Sequence, residues 1–287
     1  MFNKRHIVRT IAATVSILAL SFTAACGSGQ STASNSTDSD DITQQTYKPG
    51  KLTIATGQPA YEPWVMNDKP ESGEGYEAAV AYAVADKLGF KKSDVVWTRT
   101  AFDTAIAPGA KDWDFNIQQF GITDERKKAV DFSSSYYNDS QSVVVKKDSK
   151  FANATKVSDL KDATVGVMVG TLAYDYAKAN IKDDIQTFND DAALAQALDA
   201  GQIDALVTST VECVYMVQSE QVKDAKVLGR LPDSEDKSGM GIALPKDSKL
   251  TAAVTKAVDD LNADGTIKKL QDKWLAEYTT DLTELKK

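Results

Sequence analysis

Residues 120–137 read Phe120-Gly-Ile-Thr-Asp-Glu-Arg-Lys-Lys-Ala-Val-Asp-Phe-Ser-Ser-Ser-Tyr-Tyr137. They follow a mostly uncharged, strand-like run (115–122) and turn into a short charged helix. Thr123 is suited to cap that helix, and Asp124 and Glu125 fall in its first turn, where the helix dipole favours negative charge. Arg126 comes about one turn in. Its planar fork suits a carboxylate held by two parallel hydrogen bonds. An ordinary capped helix with a surface arginine has the same spacing.

On both sides of this stretch, strand and helix patterns alternate. An apolar run at 52–56 reads as a buried strand, and 76–88 as an amphipathic helix ended by Gly89. Strands follow at 95–97 and 114–119, with a short helix from 102 to 106 stopped by Pro108-Gly109. The pattern then restarts. Strands are expected at 142–146, 163–169, 185–188 and 203–207, and helices at 172–180, 190–200 and 211–220. An extended run at 239–245 precedes helices at 250–263 and 266–278. Such alternation predicts an α/β fold with two mostly parallel sheets and sites at the carboxyl ends of the strands. The order is explained by two lobes joined by two crossing hinge strands. Lobe 1 is expected over 48–143 plus 246–287, and lobe 2 over 144–245, including the return hinge strand. A shape of this kind closes on a ligand by hinge motion.

The composition fits that size: 287 residues, 42% hydrophobic and 26% charged. The N-terminus reads as a targeting segment, with Lys4, Arg5 and Arg9 ahead of a short apolar region (11–22). A signal peptide is expected over 1–25. The stretch after Cys26 is rich in Ser, Thr, Asp, Gly and Gln and reads as a flexible tether (26–47). Without residues 1–25 the chain carries 30 basic and 41 acidic side chains, which gives no electrostatic case for nucleic acid. The single histidine, His6, lies in the signal, so Ser-His and Cys-His catalysis and histidine metal sites are excluded for the rest of the chain. There is no Cys pair and no Gly-rich phosphate loop, and no cofactor or metal is expected. Cys213, among Val211, Val214, Tyr215 and Met216, reads as a small buried apolar residue.

Two resemblances sharpen this reading. Thr23-Ala-Ala-Cys26 resembles a bacterial lipoprotein signal, which implies lipidation of Cys26 and a membrane-anchored protein facing outward. Ile-Thr-x-x-Arg followed by Val-Asp-Phe-Ser-x-x-Tyr-Tyr resembles the polar amino-acid-binding proteins of ABC importers, the family 3 solute-binding proteins. Gly239-Met-Gly-Ile242, the run Leu261 to Leu270 followed by Trp274, and Gly201-Gln-Ile-Asp-Ala205 also resemble that family, and the likeness covers roughly 50–280.

The resemblance implies a receptor that captures an amino acid or related small carboxylate between two closing lobes and delivers it to the permease. It also implies a monomer. Arg126 would hold the ligand's carboxylate, near Thr123, Gly121 and Gln119. Thr171, after Gly170, would meet the same carboxylate at a helix N-terminus. Tyr61, Trp64 and Phe102 would supply aromatic walls. Met168 would help set selectivity. Gly170-Thr171 also fits a simple turn and cap, and the three aromatics also fit core packing. The chain departs from the family pattern at Ser209, where an aspartate usually meets the ligand's ammonium. Further departures are Gly121 in place of a hydroxyl and Gln58 in place of an acid. A polar, largely uncharged pocket is therefore expected, which argues against strict specificity for arginine, lysine or histidine, although Glu62 and Asp103 leave a basic ligand open and Glu212, three residues on from Ser209, is a candidate to replace the missing aspartate. An enzyme on the same scaffold would need an acid–base pair from Glu62, Glu77 or Glu212. A non-transporting sensor module is the other alternative.

Overall fold

The computed structural model describes residues 41–279 and 282–287. The expected signal peptide, Cys26 and most of the tether lie outside them. The tether's last residues are already anchored. Asp41 caps a short 3-10 turn (Ile42–Gln44), Ile42 packs against the first core, and Tyr47 N donates to the Asp114 carboxylate at 2.5 Å.

The elements run β1 (Leu52–Thr56), α1 (Tyr76–Lys87), β2 (Val95–Arg99), α2 (Phe102–Ile106), β3 (Phe115–Asn116), β4 (Val130–Tyr137) and β5 (Gln141–Lys146). Then come β6 (Val165–Met168), α3 (Leu172–Asn180), β7 (Gln186–Phe188), α4 (Asp191–Asp199), β8 (Ala205–Ser209), α5 (Thr210–Gln218), β9 (Ala225–Arg230), β10 (Met240–Pro245), α6 (Thr251–Ala263) and α7 (Thr266–Trp274). β1 is buried at every position, as its apolar run requires, because it lies inside the first sheet, of order β2-β1-β3-β10-β4. The second sheet has the order β7-β6-β8-β5-β9. Each lobe closes its own core. Ile54, Val84, Phe115, Ile242 and Val258 pack in the first, and Val143, Val165, Val207 and Leu231 in the second.

Both sheets are mixed rather than mostly parallel. β1 runs parallel to β2 and β3, but β10 is antiparallel to β3 and β4. β6 runs parallel to β7 and β8, while β5 is antiparallel to β8 and β9. The lobes' connectivity explains this. β5 and β10 each enter their sheet from the other lobe, so they run away from the cleft that their neighbours run toward. The crossings themselves are the short segments 138–140 and 231–239. β10 belongs to the first sheet, so the boundary expected at 245 falls before Met240.

The C-terminal residues differ from expectation too. Instead of staying with lobe 1, they cross to lobe 2. Leu285 is 4% exposed within the second core, Leu285 N donates to Arg230 O at 2.8 Å, and Val157 N donates to Lys286 O at 2.8 Å.

Candidate functional site

Between the lobes, the carboxyl ends of β1, β3, β6 and β8 open on a cleft of about 820 Å³, its mouth included. Arg126 stands in it, at the start of a single 3-10 turn (Arg126–Lys128). The expected longer helix does not form, because Val130 already begins β4 four residues on. Thr123 caps the turn, its Oγ1 accepting from Arg126 N at 3.1 Å. Arg126 Nη1 donates to Gly121 O at 2.7 Å and Nη2 to Gly170 O at 2.8 Å, so one carbonyl from each lobe fixes the guanidinium. The guanidinium carbon lies 5.4 Å from the Phe102 ring centroid. Burial lowers its pKa, and the nearby Asp175 and Asp236 charges oppose that shift. It remains a cation, and its N–H groups outnumber these two carbonyls.

The remaining expected residues divide. Tyr61, Phe102, Gln119, Gly121, Met168, Thr171 and Ser209 line the cleft together with Arg126. Thr171 caps α3, its Oγ1 accepting from Tyr174 N at 3.2 Å and donating to Met168 O at 2.8 Å. Ser209 caps α5, accepting from Glu212 N at 3.2 Å. Gln119 has a left-handed backbone (φ 50°), and its N and Nε2 both donate to the buried Glu77 carboxylate. Thr123, Gly170 and Trp64 fall outside the lining. Trp64 is 0% exposed and packs in an aromatic cluster, with ring centroids 6.0 Å from Tyr76 and 5.5 Å from Tyr137.

The cleft is not the largely uncharged pocket expected. Asp139, Asp191, Glu212 and Asp236 line it as well, against one guanidinium among the described residues. Burial raises Asp139 to about 6, against hydrogen bonds from Ser140 N, Ser209 and the first amides of α5. Burial likewise raises Asp191 to about 6, opposed by the Thr208 hydroxyl and reinforced by Asp190. Glu212 is 4% exposed and is pushed well up, first by burial and then by repulsion from Asp191, Asp139 and Glu77. Tyr61 is pushed up by burial and by Asp190, Asp191 and Glu212, which places its ring beside those acids. No local spacing marks this cluster. Asp139 sits in the first crossing, Asp191 reads as a helix-start acid, and Asp236 belongs to the second crossing. Counting five residues on from Asp204 reaches only Ser209.

Of the acids an enzyme would need, Glu62 lies outside the cleft and accepts from Asn67 N at 2.9 Å and the Tyr215 hydroxyl at 3.2 Å. Glu77 lies behind Gln119 and also accepts from the Tyr136 hydroxyl, and burial raises it to about 7. Among the described residues no group of His, Cys, Asp and Glu is placed to hold a metal ion, and no helix is long and apolar enough to cross a membrane.

The chain is 29% identical over 245 residues to the L-arginine-binding protein of Pseudomonas aeruginosa, covering 80% of this chain and 88% of that one. It is 30% identical over 223 residues to the L-cystine-binding protein TcyJ of Escherichia coli, covering 77% and 81%. The structure of an ancestral arginine-binding protein bound to arginine superposes with a TM-score of 0.66 at 32% identity, covering 78% of this chain and 98% of that one. The profile of the bacterial extracellular solute-binding proteins, family 3, matches residues 52–277, from β1 to the end of the first lobe's last helices, and the chain belongs to that family.

Proposed function

We propose that the protein is an extracytoplasmic receptor that closes on an amino acid with a cationic side chain and passes it to the membrane permease of an ABC importer. The observation that carries this reading is the charge of the cleft: Arg126 faces Asp139, Asp191, Glu212 and Asp236. A carboxylate on Arg126 satisfies the one cation. A neutral side chain would leave the Asp191–Glu212 pair, beside the Tyr61 ring, buried and unable to ionise together. A second positive charge placed there lets both ionise and lies against an aromatic face. Relatives named for arginine and for cystine fit a zwitterion bearing a further charge or a further ammonium group. Cys26 would carry a lipid that holds the protein to the outer face of the cell membrane as a monomer. A Cys26→Ser variant is then expected in the soluble fraction.

Calorimetric titration of the purified protein with L-arginine, L-lysine, L-cystine, L-glutamine and L-glutamate tests the reading. Arginine or lysine is expected to bind at least about tenfold more tightly than glutamine, a difference of about 1.4 kcal/mol. Tightest binding of glutamate, or of glutamine alone, would overturn it.

A further inference from the structure

One loop of the first lobe, between β1 and α1, reaches two helices of the second. It is braced within its own lobe. Arg99 Nη1 donates to Gly57 O at 2.9 Å, Ala60 N donates to the Asp68 carboxylate at 2.9 Å, and Arg99 pairs with the same carboxylate. Tyr61 and Glu62 stand between those anchors. The Tyr61 hydroxyl accepts from Ala192 N, in the first turn of α4, at 3.4 Å. Glu62 Oε1 accepts from Asn67 N of its own loop at 2.9 Å, and Oε2 accepts from the Tyr215 hydroxyl of α5 at 3.2 Å. One carboxylate therefore joins a braced loop of lobe 1 to a helix of lobe 2.

α5 turns one stripe toward lobe 1. Val211, Tyr215 and Gln218 are four and three residues apart, so they share a helix face. Val211 is 0% exposed and packs in the first core. The Tyr215 ring stands edge-on to Tyr278 with centroids 5.9 Å apart, and Gln218 Nε2 donates to Glu277 O at 3.4 Å, both in the 3-10 turn (Ala276–Tyr278) that follows α7. The stripe starts at the hinge, where Thr210 N donates to Ser140 O of the first crossing at 2.8 Å. Tyr215 and Gln218 lie about 7 and 12 Å farther along the helix. Rotation about the crossings therefore moves them against lobe 1 far more than it moves Val211. The Tyr215–Glu62 bond, at 3.2 Å, does not survive a shift of about 1 Å.

Glu62, Tyr215, Gln218, Glu277 and Tyr278 all lie outside the cleft lining. An interface that exists only while the lobes meet, and that touches no ligand, stabilises the closed arrangement alone. Apparent affinity then rises with the fraction of protein already closed, whatever the cleft holds. We propose that Glu62 and Tyr215 form a closure latch that sets the affinity of the cleft from outside it. The latch follows from the lobe contacts; only its effect on amino-acid affinity rests on the receptor reading above.

Calorimetric titration of the full protein and its Tyr215→Phe variant with L-arginine and L-lysine tests this. Phenylalanine keeps the ring against Tyr278 and removes only the hydroxyl. Both ligands are expected to bind about five- to tenfold more weakly, the scale of a partly exposed bond to a carboxylate, with their ratio unchanged. In a Glu62→Ala background, Tyr215→Phe should weaken binding no further, because both changes break the same bond. A loss of packing unrelated to Glu62 would instead add to it. Affinity within about twofold of wild type, additive losses, or a changed arginine-to-lysine ratio overturns the latch and leaves the receptor standing. A wild-type protein that binds neither ligand takes down the receptor reading, and hydrogen exchange at the Ala192 amide of the ligand-free protein then decides the latch. Exchange about five- to tenfold faster in Tyr215→Phe supports it, and an unchanged rate overturns it.

Discussion

Arg126 is held before any ligand arrives. Its guanidinium already bonds the carbonyls of Gly121 and Gly170, so little side-chain entropy is left to lose when a carboxylate docks. Arg126→Ala is expected to weaken amino-acid binding by more than about 100-fold in calorimetry, and Arg126→Lys to restore little of it, because a point charge cannot span both carbonyls. The acids make a second prediction. Asp139 and Asp191, each raised to about 6, face Glu212, Tyr61 and Arg126 across the cleft. Because their folded pKa values exceed the unfolded ones, the folded chain binds more protons between about pH 4 and 6. The ligand-free protein therefore loses stability from these groups as pH rises through that window. A bound cation favours their ionised forms. Affinity for arginine is expected to rise from pH 5 to 7, with protons released on binding, as titrations in buffers of different ionisation enthalpy would detect. Affinity that stays flat over that range would contradict the assignment. That Arg126, Thr171 and Ser209 stand at the cleft was legible in the sequence because each sits in a local pattern. Apart from Glu212, the acidic cluster was not, because the lobes assemble it from segments about 50 and 100 residues apart.

Elements with a strong period were the easiest to read. α3, α4 and α6 lie within a residue or so of where their apolar spacing puts them. Two strands were missed. β4 carries three consecutive serines and its burial does not alternate, and β9 has a glycine and a lysine in a run of six. Their pairing is set by β10 and β5, which come from the opposite lobe, so propensity alone gives little sign of them. Trp64 illustrates the same override. Its motif suggests a binding wall, but α1 begins against its backbone, and a Cβ at Gly75 would stand 2.5 Å from Trp64 O. Trp64→Ala is expected to cost about 3–5 kcal/mol in denaturant unfolding. Arginine affinity is expected to fall as well, because the indole, outside the cleft lining itself, supports the cleft acid Glu212.

Across the whole molecule, two-lobed order was legible from the restart of the strand–helix pattern, while the course of the C-terminal segment was not. Its single buried apolar side chain, Leu285, is too short a signal to reveal a partner. Tyr278 packs against the first core, and five residues later the chain pairs with the edge of the second sheet, where Arg230 N donates to Thr283 O at 2.9 Å. Leu285→Ala is expected to destabilise lobe 2 by about 2–3 kcal/mol. Hydrogen exchange at the Arg230 and Val157 amides should quicken, with the first-sheet amides unaffected. A chain that passes between the lobes three times is also a tether with redundancy. A protease that nicked it once within 138–140 would leave both halves joined through 231–239 and again through the C-terminal segment. The nicked protein should migrate as one particle on a sizing column and separate into two pieces only in denaturant.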